Sequence, residues 1–235
     1  MKTSPIKLLR DRDLFWSALR SQDLGWQELI SLMGFVVFAC AIYGLVMAGF
    51  RSPLLSFYVA IKLPVLFLGT TAIVAVFNWM VASLMGSGLT FRSTVFLVFA
   101  SMTIGCWILL AFVPVALFFL ASGVPVEGTH EELSYAHDVI LMTHVCILAI
   151  AGFVGNAALL KGLRKVVTPG CPANVLFVLW IAAYAFVGCQ LSWIFRPFVC
   201  NPFLPVAFMR ADCLQGNFYE FIFTDLLPFL VMGAK

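Results

Sequence analysis

The stretch TVFLVFASMTIGCWILLAFVPVALFFLA, Thr94–Ala121, runs without one charged side chain. Crossing about 30 Å of hydrocarbon takes roughly 20 apolar residues as helix. Lipid offers no partner to an unpaired backbone N–H or C=O, so a crossing segment has to satisfy its own backbone, and a helix does so. Four further segments read the same way: Leu29–Phe50, Leu54–Met85, Val139–Leu160 and Val175–Phe195, each bounded by Gly, Pro or charge. The expected fold is therefore all-α, a polytopic transmembrane bundle of five spans over residues 29–195. A cytoplasmic or interfacial arm, 1–28, precedes it, and an irregular extracytoplasmic segment, 196–235, follows.

Composition agrees. Of 235 residues 63% are apolar and 11% charged, where a soluble domain carries about 45–50% and about 25%. A core able to hide that much apolar surface from water exceeds what this chain length can enclose, so the lipid bilayer is the expected solvent and partner. The net charge of +3 is modest, and the 24 Phe lie in apolar runs, not among the cations. A nucleic-acid footprint, basic with interleaved aromatics, is not the pattern here. Residues 1–27 have scattered charges and no short apolar stretch before a small-residue cleavage site, so no removable signal peptide is expected.

Cation placement sets the expected orientation. With the N-terminus inside, Lys2, Lys7, Arg10, Arg12, Arg20, Arg92, Lys161, Arg164 and Lys165 face the cytoplasm. Arg51, Arg196, Arg210 and Lys235 face out with the acidic loop of Glu127, Glu131 and Glu132, and Lys62 lies within a span. That distribution follows the positive-inside rule for a bacterial inner membrane. In the arm, Leu8, Phe15 and Leu19 share one side of a helical wheel, as do Leu9 and Trp16, which suits an amphipathic helix in the headgroup zone. Pro197, Pro202 and Pro205 bar a regular helix after Arg196, and Phe218–Met232, broken by Glu220, Asp225 and Pro228, is apolar enough to lie on the outer surface or to enter the bundle as a half-helix.

Several residues invite a functional reading. Lys62, about eight residues and so about 12 Å inside the second span, either snorkels, pairs within the bundle or serves a conduction route, since an unpaired charge there is costly. His137 and His144 are separated by about 10 Å of helical rise, too far to hold one metal ion, so a metal site at His137 and Asp138 would need His130 or Glu131 as well. His144 reads better as polar glue between helices. Asn78, Asn156 and Gln190 are the intramembrane amides and form no acid–base pair. Neither a nucleophile elbow, a zinc-protease H-E-x-x-H, a P-loop nor a G-x-G-x-x-G is present; Gly86-Ser87-Gly88 reads as a loop between spans. No catalytic residue, cofactor or metal ligand is assigned.

Small residues at four-residue spacing, Gly44 with Ala48, Ser101 with Gly105, Ala151 with Gly155 and Gly188 with Ser192, point to close helix packing or self-association. Seven Cys cannot pair completely. Cys40, Cys106, Cys146 and Cys189 read as small apolar packers in the spans. Cys200 and Cys213 share the oxidising side, where a disulfide would contribute roughly 3 kcal/mol. Arg196 is placed to tie the C-terminal segment to the bundle through Glu220 or Asp225.

The stretch Gln190-Leu-Ser-Trp-Ile-Phe-Arg-Pro-Phe198, with Gly216-Asn-Phe-Tyr-Glu220, resembles the closing signature of a group of uncharacterised bacterial multi-span membrane proteins. The layout, a short polar arm before five spans, is similar to Yip1-like membrane proteins. That resemblance implies a membrane-organising adaptor without catalysis. The leading expectation is a non-catalytic membrane subunit or scaffold that packs with partner membrane proteins. A channel or transporter with Lys62, His144 and Asn156 along a polar route comes second, and a metal-assisted, lipid-acting enzyme using His137 and Asp138 third.

Overall fold

The structure, a computed structural model, describes residues 4–49, 51–122, 129–199, 203 and 205–226. Among residues named above, Lys2, Phe50, Glu127, Cys200, Pro202, Pro228, Met232 and Lys235 lie outside that description, as does the side chain of Asp225. The described residues form helices and no strand. In chain order these are α1 (Pro5–Arg10), α2 (Arg12–Arg20), α3 (Trp26–Met47), α4 (Pro53–Leu84), α5 (Phe91–Ala121), α6 (His130–Val166), α7 (Ala173–Phe195) and α8 (Phe218–Phe221), with a π-helical turn at Ile222–Leu226. Helices α3 to α7 are each long and apolar enough to cross a membrane. The protein is an integral membrane protein built as an all-α, multi-pass bundle.

Local chemistry starts these helices. Ser52 accepts from Leu55 N with Pro53 at the first position of α4, and Thr90 accepts from Ser93 N at the head of α5. Such caps meet N–H groups that have no partner inside the helix. Helix α6 begins nine residues before the expected Val139. Thr129 and Glu132 form a capping box there, and Glu131 and Glu132 sit in the first turn, where the helix dipole favours acidic side chains. The charges that seemed to bound the span belong to the helix. Pro64 and Pro114 are accommodated inside α4 and α5.

Around the bundle the neighbours run α6, α5, α3, α4, α7, and the ring closes through a sparse contact of α7 with α6. Its seams use the small residues. A Cβ added at Gly44 would sit 2.7 Å from Val59 O, across the α3–α4 seam. One at Gly105 would meet Ala151 O at 3.0 Å, and one at Gly155 would meet Ser101 O at 3.1 Å, so two of the spaced pairs form the α5–α6 seam. Gly188 instead faces Thr70 of α4 at 3.6 Å.

The arm is not one helix. It breaks at Asp11 into α1 and α2, which lie against the bundle with Leu8, Phe15, Trp16 and Leu19 buried, while Leu9 and Leu14 are exposed. Trp16 covers Gly162 of α6, where a Cβ would approach its ring to 2.9 Å. Trp107 Nε1 donates to Pro5 O at 3.3 Å, and Lys165 pairs with Asp13. At the end of the bundle that carries Lys165 the two loops clasp each other: Thr168 Oγ1 donates to Gly86 O at 2.6 Å and Thr168 N to Ser87 O at 3.0 Å. Gly86 and Gly88, at φ of +68° and +70°, supply the left-handed turns of that loop.

Two glycines test the seam. Gly44→Ala is expected to lower the melting temperature in detergent, because α3 and α4 must separate, at a cost of about 1–3 kcal/mol. Gly34→Ala, whose Cβ meets nothing within 4 Å, is expected to leave it unchanged or slightly raised; equal effects would contradict the seam.

Candidate functional site

Lys62 is 0% exposed and stands at the end of the bundle opposite the arm. Its Nζ donates to Pro197 O at 2.9 Å and lies 5.1 Å from the ring centroid of Phe208 and 5.9 Å from that of Phe198. All three partners belong to the segment after α7. Pro197 follows a helix end, so its carbonyl has no helical donor, and the ammonium supplies one. Each aromatic face adds about 0.5–2 kcal/mol. Of the readings open for Lys62, the structure takes pairing inside the fold. Tyr58 of α4 stacks edge-on with the same Phe208 at 5.3 Å, so the segment covers the outer part of α4.

His144 is buried and its Nδ1 meets Tyr43 Oη at 2.8 Å, joining α6 to α3. This is the interhelical polar contact expected of it. Cys40 and Cys106, also buried, place their Sγ atoms 3.9 Å apart between α3 and α5, as packing neighbours. Asn156 lies elsewhere, on a cavity of about 290 Å³ between α4, α5, α6 and α7 that is lined by neither Lys62 nor His144. The three residues of the expected polar route are thus not brought to one lining. Asn78, noted from the sequence only as an amide, shares the cavity with Asn156.

At the far end, Arg196 meets Asp212 and not Glu220, while the expected pairing with Asp225 falls outside the described side chains. Its Nη2 is 3.4 Å from Asp212 Oδ2, and its guanidinium lies 3.4 Å from the centroid of the Trp193 ring. Asp212 also accepts from Arg210 Nε at 3.0 Å. Glu220 Oε2 accepts from Asn217 Nδ2 at 3.4 Å. The short helix α8 runs back along α7: Phe218 N donates to Gln190 Oε1 at 3.1 Å, Tyr219 Oη to Phe186 O at 2.6 Å, and the Tyr219 and Phe186 rings stack at 4.9 Å. No spacing in the sequence signals these partners, although Gln190 and Arg196 lie in the stretch that stood out. Cys213 is half-buried; the pairing expected with Cys200 falls outside the described residues.

His137 Nδ1 lies 3.2 Å from Asp138 Oδ1 beside it, and His130 stacks on Phe203 with ring centroids 3.9 Å apart. Among the described residues no group of three or more His, Cys, Asp or Glu could hold a metal ion. Comparison of the chain with family models, curated proteins and solved structures found no match.

Replacing Lys62 by Met keeps the stem and removes the donor, leaving Pro197 O without it. A charge-assisted hydrogen bond of this kind contributes about 1.5–3 kcal/mol. The variant is expected to release the C-terminal segment, raising the rate of tryptic cleavage after Arg210 in detergent about tenfold or more. An unchanged rate would show that other contacts hold the segment.

Proposed function

We propose that the protein is a non-catalytic membrane subunit or scaffold that packs with partner membrane proteins in a bacterial inner membrane, its arm in the cytoplasm and its C-terminal segment outside. The observation that carries this reading is how three of the intramembrane polar side chains are used. Lys62 joins α4 to the C-terminal segment, His144 joins α6 to α3, and Gln190 anchors α8. Each is a tie between elements, where a conduction path or an acid–base centre needs polar groups facing one another along a shared opening.

The orientation rests on the cations. Arg92, Lys161, Arg164 and Lys165 share one end with the arm, and the excess of Lys and Arg there favours the cytoplasmic side. The layout shared with Yip1-like proteins is in keeping with an adaptor role.

Purification of the full chain in mild detergent is expected to yield a fixed stoichiometry with another membrane protein or with itself, and liposomes bearing the purified protein are expected to show background ion flux. A lone monomer whose flux disappears in Lys62→Ala would replace the scaffold by a channel.

A further inference from the structure

The 290 Å³ cavity has a polar end that the fold leaves unanswered. Asn78 is 1% exposed, and its Oδ1 has no hydrogen-bond partner. Which end of an amide is oxygen is an assignment, but either way one polar end of Asn78 is buried and unmatched. Asn156 lies on the same lining, and its side chain makes no hydrogen bond within the described residues either. The donor beside it, Trp180 Nε1, is taken up by Asn78 backbone O at 2.9 Å and leaves the side-chain oxygen without a donor. Buried polar groups are nearly always matched, and an exception asks for an unseen partner.

The rest of the cavity names the partner's chemistry. No charged side chain lines it, and most of the lining is hydrocarbon. An occupant that matches this lining is apolar along most of its length and neutral at its tip. Gly152 of α6 and Ala185 of α7 are both lining residues and exposed, so the opening is sideways at the sparsest seam between neighbours in the ring. On spans surrounded by lipid, that opening faces the bilayer. Asn78 and Asn156 lie within about two helical turns of the end of the bundle that carries Lys161 and Arg164.

We infer that this cavity binds one neutral amphiphile from the bilayer, its hydroxyl or amide tip held by Asn78 and Asn156 and its apolar chain leaving between Gly152 and Ala185. Asn78 accepts from the tip, and Asn156 donates to it or accepts from it. The volume lies at the low end for a small-molecule site, which suits the tip and the first part of a chain, with the remainder in the bilayer. This inference does not depend on the scaffold reading, since a subunit with or without a partner can carry such a site.

The probe is a long-chain fatty alcohol bearing a diazirine, added to the full-length protein in phosphatidylcholine vesicles and irradiated. The expected result is saturable labelling, competed by the unmodified alcohol, with adducts confined to residues 98–109, 148–159 and 180–185. Asn78→Leu is expected to reduce the labelling at least tenfold while raising the melting temperature without ligand, because an unmatched amide is removed. A purely structural Asn78 would instead lower that temperature. Gly152→Leu, whose added Cβ meets nothing within 4 Å, keeps the fold and plugs the opening, and is expected to cut labelling by a similar factor. Labelling that does not saturate, that spreads over the lipid-facing surface, or that persists in folded Gly152→Leu overturns the site.

Discussion

In hydrocarbon no solvent molecule completes an unfinished hydrogen bond, and that constraint organises this protein. It forces the spans into helices, and it decides what becomes of the groups that helices leave over. An ammonium within a span needs an acceptor. A carbonyl just past a helix end needs a donor. Lys62 and Pro197 are such a pair, and their contact brings the chain after α7 back over α4. Arg92 does the same at the other end, donating to Leu24 O just ahead of α3 while its guanidinium lies over Trp26. Two isolated liabilities become two tethers, one at each end of the bundle.

Between the tethers, packing carries the association. Lipid tails are as apolar as the side chains, so burial from lipid gives helices little drive to associate, and close backbone approach matters more. The α3–α4 and α5–α6 seams are built on Gly44, where an added carbon would collide with the neighbouring backbone, and on Gly105 and Gly155, where it would crowd that backbone. Where α7 meets α6 no such approach occurs, and the cavity opens there. The same contrast accounts for both the closely packed side of the bundle and the lateral opening between α6 and α7.

The spans were legible because hydrophobic length is a local property: Thr94–Ala121 declares itself without reference to anything else in the chain. His144 as interhelical glue was legible too, since an imidazole inside a span has few other uses. The start of α6 is hidden in the sequence because charge marks the edge of a span but not of a helix, and Glu131 and Glu132 are favourable in a first helical turn. The arm was read as one helix because periodicity shows which face is apolar but not that the chain turns at Asp11 to lay that face on α6. Lys62 stood out, yet its partner lies 135 residues away. Arg196 meets Asp212 where Glu220 is the expected partner, because an irregular segment gives no register from which to choose among acids. Asn78 and Asn156 stand out in the sequence as intramembrane amides, Asn156 on a route with Lys62 and His144, and only folding shows that the two amides share one cavity.

Five crossings put the loop between α6 and α7 and the segment after α7 on opposite sides of the membrane. Two variants, one retaining only Cys171 and one only Cys213, measure this directly in intact cells with a maleimide that cannot cross the membrane. Cys213 is expected to react without permeabilisation, and Cys171, in the loop between α6 and α7, only after it. Reaction of both thiols from the same side would contradict the five-span arrangement, and the reverse pattern would invert its orientation.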